Sequence, residues 1–216
     1  MNGSHLQYVA WASNSSLIIV KNNDLYYQPS VESSTVHRIT STGVEGVLFN
    51  GVPDWIYEEE LLNSGSASWV SPGGTFLAFC TFNDTRVRTH HINSFYSMDQ
   101  STVRYPLAGD INPGVNLTLV KLGVDGVGPY WFLSPPRELE KMDWYISSVS
   151  WANDDTLSVS WLPRSQQFMV YTLCSPPDYT CTMVAGELGN QQTQPGWIEP
   201  HGSPLFHSNM SRYKGN

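Results

Sequence analysis

The sequence predicts an all-β fold: a partial β-propeller of about four irregular blades with one short helical insert. Three observations carry that expectation. A unit of Trp, small polar turn and alternating strand recurs as WASNSSLIIV from Trp11, WVSPGGTFLAF from Trp69 and WANDDTLSVSW from Trp151. Short alternating or apolar runs, bounded by Gly, Pro, Asn or Asp, fill most of the remaining chain. Helical periodicity is nearly absent.

Taken in order, the first Trp unit reads as a hairpin, and DLYYQ, TVHRIT and GVLFN follow as strands. The helical exception comes next. Asp54, after Pro53, can cap a helix, and WIYEEELLN supplies two turns before SGS ends them. The second Trp unit gives another hairpin, followed by VRTHHI, NLTLVKL and YISSV as strands. The third gives the last hairpin, continued by QQFMVYTLC and TCTMVA. The Trp units lie 58 and 82 residues apart. That is wider and less regular than the ~40 to 50 residues of regular blades, as insertions between strands would produce.

Bulk properties exclude several function classes. With 216 residues, 40% of them hydrophobic, the chain can build a core. Eleven Lys and Arg against 19 Asp and Glu give a net charge of −8, which argues against nucleic acid as a partner because a phosphate backbone needs a basic surface. No window approaches the roughly 18 apolar residues of a membrane span, and the first twenty residues lack a basic start followed by an apolar run.

Cysteines and sequons point to an oxidising, extracellular compartment. Cys174 and Cys181 flank SPPDYT, a spacer suited to a hairpin closed by a disulfide, and Cys80 in FLAFC reads as a buried strand thiol. Glycosylation sequons occur at Asn2, Asn14, Asn83, Asn116 and Asn209. Sequons and a disulfide without a visible export signal are reconciled if the chain is a piece of something longer.

The segment GVPDWIYEEELL crowds three carboxylates into a chain of which only 14% is charged. On a helix Glu59 and Glu60 would lie about 100° apart, close enough to converge on one small cation, whereas on a strand they would face opposite sides. Glu58 has the weaker case and is expected to be solvated or to serve the helix. Trp55 and Tyr57 are suited either to lining a pocket or to packing in the core. His90 and His91 are neighbours on an expected strand, so they point to opposite faces and should not share a metal. No metal or cofactor is expected.

DWIYEEELL, then SWVSPGGTFLAFCTFNDT, SFYS and YPLAGDINP from Tyr105 to Pro113, resemble in order and spacing the N-terminal β-propeller region of the dipeptidyl peptidase IV family. WANDDTLSVSWLPRSQ and the Cys174/Cys181 pair look like the following blade, so the resemblance runs from about Tyr8 to Trp197. It implies that residues 1–216 form a partial propeller domain of a protein that elsewhere carries an α/β-hydrolase domain. It also implies that Glu59 and Glu60 hold the free α-amino group of a peptide substrate, with Asp54, Trp55, Tyr57 and Glu58 as the supporting motif. The intact protein would be a cell-surface or secreted serine exopeptidase releasing N-terminal dipeptides, with homodimers possible. No two glycines in the chain are spaced as Gly-x-Ser-x-Gly requires, so the nucleophile elbow is absent and this chain should be inactive alone. The family's non-catalytic branch, auxiliary subunits of potassium channels, keeps a similar glutamate block and is the alternative, as is an inactive truncated product.

Overall fold

The computed structural model describes residues 6–93, 100–189, 196–200 and 202–206. The SFYS motif at positions 94–97 and the sequons at Asn2 and Asn209 lie outside the described residues. The chain divides into two compact units, Met1–Ser134 and Pro135–Asn216. Antiparallel sheets dominate both, and the chain is a partial β-propeller, as the sequence predicts.

In the first unit, β1 (Leu6–Trp11), β2 (Leu17–Lys21), β3 (Asp24–Gln28) and β4 (His37–Arg38) form a four-stranded meander. Asn22 and Asn23 join β2 to β3 with φ of 53° and 61°. Asn tolerates the left-handed region that a two-residue hairpin turn demands. Ile18 and Val20 of β2 and Leu25 and Tyr27 of β3 are buried and meet Leu77, Phe79 and Val120 of the second sheet in one apolar core.

That second sheet runs β11 (Gly126–Leu133), β10 (Gly114–Gly123), β7 (Phe76–Asn83) and β5 (Leu48–Asn50), with β6 (Ser68–Val70) also paired to β7. A separate ribbon joins β8 (Thr89–Asn93) to β9 (Gln100–Arg104). The second unit is a single meander of β12 (Trp144–Trp151), β13 (Leu157–Pro163), β14 (Phe168–Cys174) and β15 (Cys181–Leu188). Every residue of β13 is buried, and its polar groups are satisfied locally: the Ser148 hydroxyl donates to Ser160 Oγ at 2.8 Å and Trp161 Nε1 to Thr172 Oγ1 at 2.8 Å.

Each Trp unit marks the first hairpin of its own sheet region. Trp11 pairs with Leu17 and Trp151 with Leu157, the same six-residue offset, and the following alanines close equivalent turns: Ala12 N–H to Ser16 O at 2.8 Å and Ala152 N–H to Thr156 O at 2.9 Å. The Trp69 unit turns one residue later and its turn is one residue longer, with Ser71 N–H donating to Phe76 O at 2.9 Å. Two strands, β9 and β11, were not among the expected runs. β11 carries Pro129, which cannot donate to a ladder and is tolerated because β11 is an edge strand.

The candidate site hangs from one edge of β7. β5 and β6 pair end to end along that edge, at Asn50↔Thr81 and Ser68↔Phe79. Between them the chain leaves and returns through a neck of three backbone hydrogen bonds: Gly51 N–H to Cys80 O, Cys80 N–H to Ala67 O and Ala67 N–H to Gly51 O, each 2.9 Å. Residues 52–66 are thus an Ω-like loop with closed ends. Cys80 is fully buried, and burial pushes its thiol up, so it is an inert core residue as expected.

Gly51 is required at this neck. Its φ is +74°, and a Cβ there would meet the buried Leu25 side chain at 2.6 Å. Gly51→Ala should therefore cost about 2 to 4 kcal/mol, the sum of a left-handed backbone and overpacking, measured by urea unfolding; an unchanged midpoint would contradict this account of the neck. In the second unit Cys174 and Cys181 form the expected disulfide across paired positions of β14 and β15. Replacing both by Ser should lower the unfolding free energy of that unit by about 2 kcal/mol, as a short closed loop predicts. Comparing urea midpoints of the two forms checks it.

Candidate functional site

Within the Ω-like loop the sequence forms its helical insert. Asp54 caps the insert: its Oδ2 accepts the Ile56 N–H at 3.2 Å, and its carbonyl accepts the Glu58 N–H at 3.0 Å. After one α-type step at Trp55 and Ile56 the chain widens into a π-turn, Tyr57–Leu61, closed by Leu62 N–H to Tyr57 O at 2.8 Å. The sequence predicts two ordinary helical turns; the structure has this shorter, wider turn. Such turns are rare and frequently mark functional positions. Asn63, at φ 48°, ends the segment in the left-handed region.

Burial sorts the motif. Tyr57 is 1% exposed and its ring packs against Phe82 of β7 at 4.6 Å, while Leu61 is also buried. These two anchor the turn to the sheet. Glu58, Glu59 and Glu60 are all exposed, and adjacent residues of a π-turn are splayed by less than the ~100° of an α-helix. The ion pairs among the described residues join Arg38 to Asp24, Arg88 to Asp110 and Arg164 to Asp143, so none of them engages the triplet. A cluster of three carboxylates on one exposed turn creates a negative potential that favours a cation.

Beside the turn lies a cavity of about 390 Å³. Asp54, Trp55 and Glu58 line it from the loop, Glu45 from the approach to β5, and Asp84, Thr89, Thr102 and Arg104 from the end of β7 and the β8/β9 ribbon. Trp55 is 40% exposed and tilts against Tyr105 at 5.1 Å; His90 stacks on the other partner of that contact, Tyr105, at 3.8 Å and places Nε2 3.0 Å from its carbonyl. Of the two aromatics left open by the sequence, Trp55 lines the cavity and Tyr57 belongs to the core. His91 is exposed, and no cluster of metal-ligating side chains occurs among the described residues.

Electrostatically the cavity is unusual for its buried acids. Burial raises Asp54 to about 6, a shift opposed by the Ile56 and Tyr57 N–H groups and reinforced by the charge of Glu58. Burial also raises Asp84 to about 7, helped by the charge of Asp54 and opposed by Arg104. Sequence reasoning missed Asp84, Arg104, Thr89, Thr102 and Glu45 as neighbours of the glutamate motif. Asp84 sits in the quoted FNDT segment, yet nothing in that segment signals that its carboxylate is buried beside residue 54.

Three of the sequons, Asn14, Asn83 and Asn116, are described and exposed. No helix among the described residues is long and apolar enough to cross a membrane.

Residues 1–214 match the model of the dipeptidyl peptidase IV (DPP IV) N-terminal region. The chain is 36% identical over 217 residues to inactive dipeptidyl peptidase 10 of Mus musculus, covering 97% of this chain and 26% of that protein. It is also 36% identical over 219 residues to dipeptidyl peptidase 4 of Felis catus, covering 92% of this chain and 28% of that one. It thus spans about a quarter of the length of the relatives it matches. Among solved structures, the fold superimposes on dipeptidyl peptidase 4 of Porphyromonas gingivalis with a TM-score of 0.76 at 20% identity, over 88% of this chain and 27% of that one. With a family match running nearly end to end, the chain belongs to the dipeptidyl peptidase IV family and corresponds to its N-terminal region.

Proposed function

We propose that residues 1–216 form the substrate-recognition and gating propeller domain of a dipeptidyl peptidase IV-like serine exopeptidase, and that Glu59 and Glu60 hold the α-amino group of the peptide. The observation that carries this reading is the exposed glutamate triplet, engaged by none of the ion pairs among the described residues, on a π-turn whose two ends are anchored by Tyr57 and Leu61. An N-terminal ammonium is a compact cation with three donors, and two neighbouring carboxylates can satisfy it with charge-assisted bonds. Fixing the terminus sets the distance to the scissile bond, so binding energy becomes orientation and a dipeptide is the unit released.

Hydrolysis itself belongs, on this reading, to an α/β-hydrolase domain of the intact protein, where a Ser nucleophile, a His base and an orienting Asp would act. The propeller contributes recognition and access. A cell-surface or secreted location fits the disulfide and the exposed sequons, and homodimers of the intact protein fit the same reading.

A second reading has its own support: a relative named inactive dipeptidyl peptidase 10 matches this chain at the same 36% identity as dipeptidyl peptidase 4 of Felis catus. On it the chain is part of a non-catalytic binding subunit. Release of dipeptides by the intact protein favours the first reading, and an intact protein that binds peptide termini without releasing dipeptides favours the second.

Binding of alanyl-alanine amide to the 216-residue chain tests the glutamate assignment directly. Glu59→Ala and Glu60→Ala should each weaken binding by about tenfold to a hundredfold, the worth of one charged hydrogen bond, and N-acetylation of the peptide should abolish it. Equal affinity of the acetylated and free peptides would sink the assignment. For the compartment, expression through a secretory pathway should attach glycans at Asn14, Asn83 and Asn116, each Asn→Gln variant losing one glycan's mass after intact-mass analysis; bare asparagines at all three would argue against it.

A further inference from the structure

Among the described residues of the first unit three aspartates are buried, and they differ in how their oxygens are used. Asp24 is fully engaged: Oδ2 takes Arg38 Nη2 at 2.6 Å, while Oδ1 takes the Thr40 hydroxyl at 2.8 Å, the Gly43 N–H at 3.0 Å and Asn50 Nδ2 at 3.2 Å. Asp54 and Asp84, at 2% and 1% exposure, are not. Asp54 Oδ1 and both carboxylate oxygens of Asp84 are buried without a hydrogen-bond partner. Arg104 lines the same cavity but commits Nη1 to backbone carbonyls, Val87 O at 2.8 Å and Asp84 O at 3.5 Å, rather than to the Asp84 carboxylate. Among the described residues, the other charged groups that line the cavity are Glu45 and Glu58, both acidic.

A buried carboxylate that lacks donors is far more costly ionised than protonated, and two of them facing one cavity repel each other when both are ionised. A proton is the smallest ligand that relieves both problems. Asp54 is also the cap of the turn that presents Glu59 and Glu60.

We propose that Asp54 and Asp84 are a proton-holding pair that positions the glutamate-bearing turn: with a proton on the pair the Asp54 cap is held in place, and with both ionised the cap and the turn loosen. The role of Glu59 and Glu60 in this proposal rests on the reading above; the pair itself does not. Both aspartates lie above the ordinary value of 3.8, toward about 6 and about 7. Folded, this pair therefore holds more protons than it does unfolded between about pH 4 and 7, so its contribution to stability falls as pH rises through that window and levels off above it. Because the two groups are coupled, they titrate as a pair in two steps.

Carboxyl carbon NMR of the ¹³C-labelled 216-residue chain, wild type and Asp84→Asn, tests this. Two aspartate carboxyls should titrate near pH 6 to 7 in the wild type, and one alone, Asp54 near 6, should remain in the variant. In parallel, hydrogen-exchange protection of the Glu58 and Leu62 amides should fall by about tenfold between pH 5.5 and 7.5 in the wild type, the factor carried by one unit of coupling, and stay level in Asp84→Asn. Aspartates that all titrate near the ordinary value, or amide protection that does not respond to pH, would overturn the proposal. If the variant does not fold, the wild-type titration and protection profile alone decide. Neither readout uses a peptide, so failure of the N-terminus reading is seen separately, in the peptide-binding experiment.

Discussion

The backbone of Cys80 is the point on which the candidate site depends. Its carbonyl receives Gly51 and its N–H reaches Ala67, while the third bond of the neck joins those two residues to each other. A loop of residues 52–66 would otherwise be free to adopt many conformations, and closing its ends on a buried strand removes most of that freedom. Because β7 is paired with β10 along its other edge, the neck is anchored to the middle of a sheet. Cys80 contributes through its main chain, so its side chain can be an inert packing group.

A second layer of restraint lies in the loop itself. Tyr57 packs against Phe82 and Leu61 turns inward, so both ends of the π-turn are fixed by apolar contact while the residues between them face water. Three like charges on one turn oppose each other, and the arrangement persists because the carboxylates are solvated and the energy that holds the turn comes from its buried ends. The cavity beneath adds acids that are not solvated. The contrast with Asp24, whose two oxygens meet four donors, shows that this fold can satisfy a buried aspartate; at Asp54 and Asp84 it does not. Unsatisfied buried polar groups are few in native proteins and tend to sit where function requires them.

Much of the architecture was legible in the sequence because a strand's periodicity of two and the residues of tight turns are local properties. The Trp11 and Trp151 units share pattern and register alike, and the Cys174/Cys181 spacing matched a hairpin whose paired positions bring the two sulfurs together. β9 and β11 escaped notice for local reasons too: QSTVR has a single apolar residue, and GVGPYWFL opens on glycines and a proline that read as a turn.

The sequence alone determined the fold class, the helical insert, its Asp54 cap and the Glu58–Glu60 block, since each depends on residues adjacent in the chain. Tertiary structure decided everything that depends on which distant segments meet. It sent Tyr57 into the core and Trp55 to the cavity wall, because β7 lies under one and the β8/β9 ribbon and Tyr105 lie beside the other. It also brought Asp84, thirty residues further along, into the cavity that Asp54 lines. Burial and charge coupling are properties of three-dimensional proximity, and no local pattern in FNDT or DWIYEEELL encodes them.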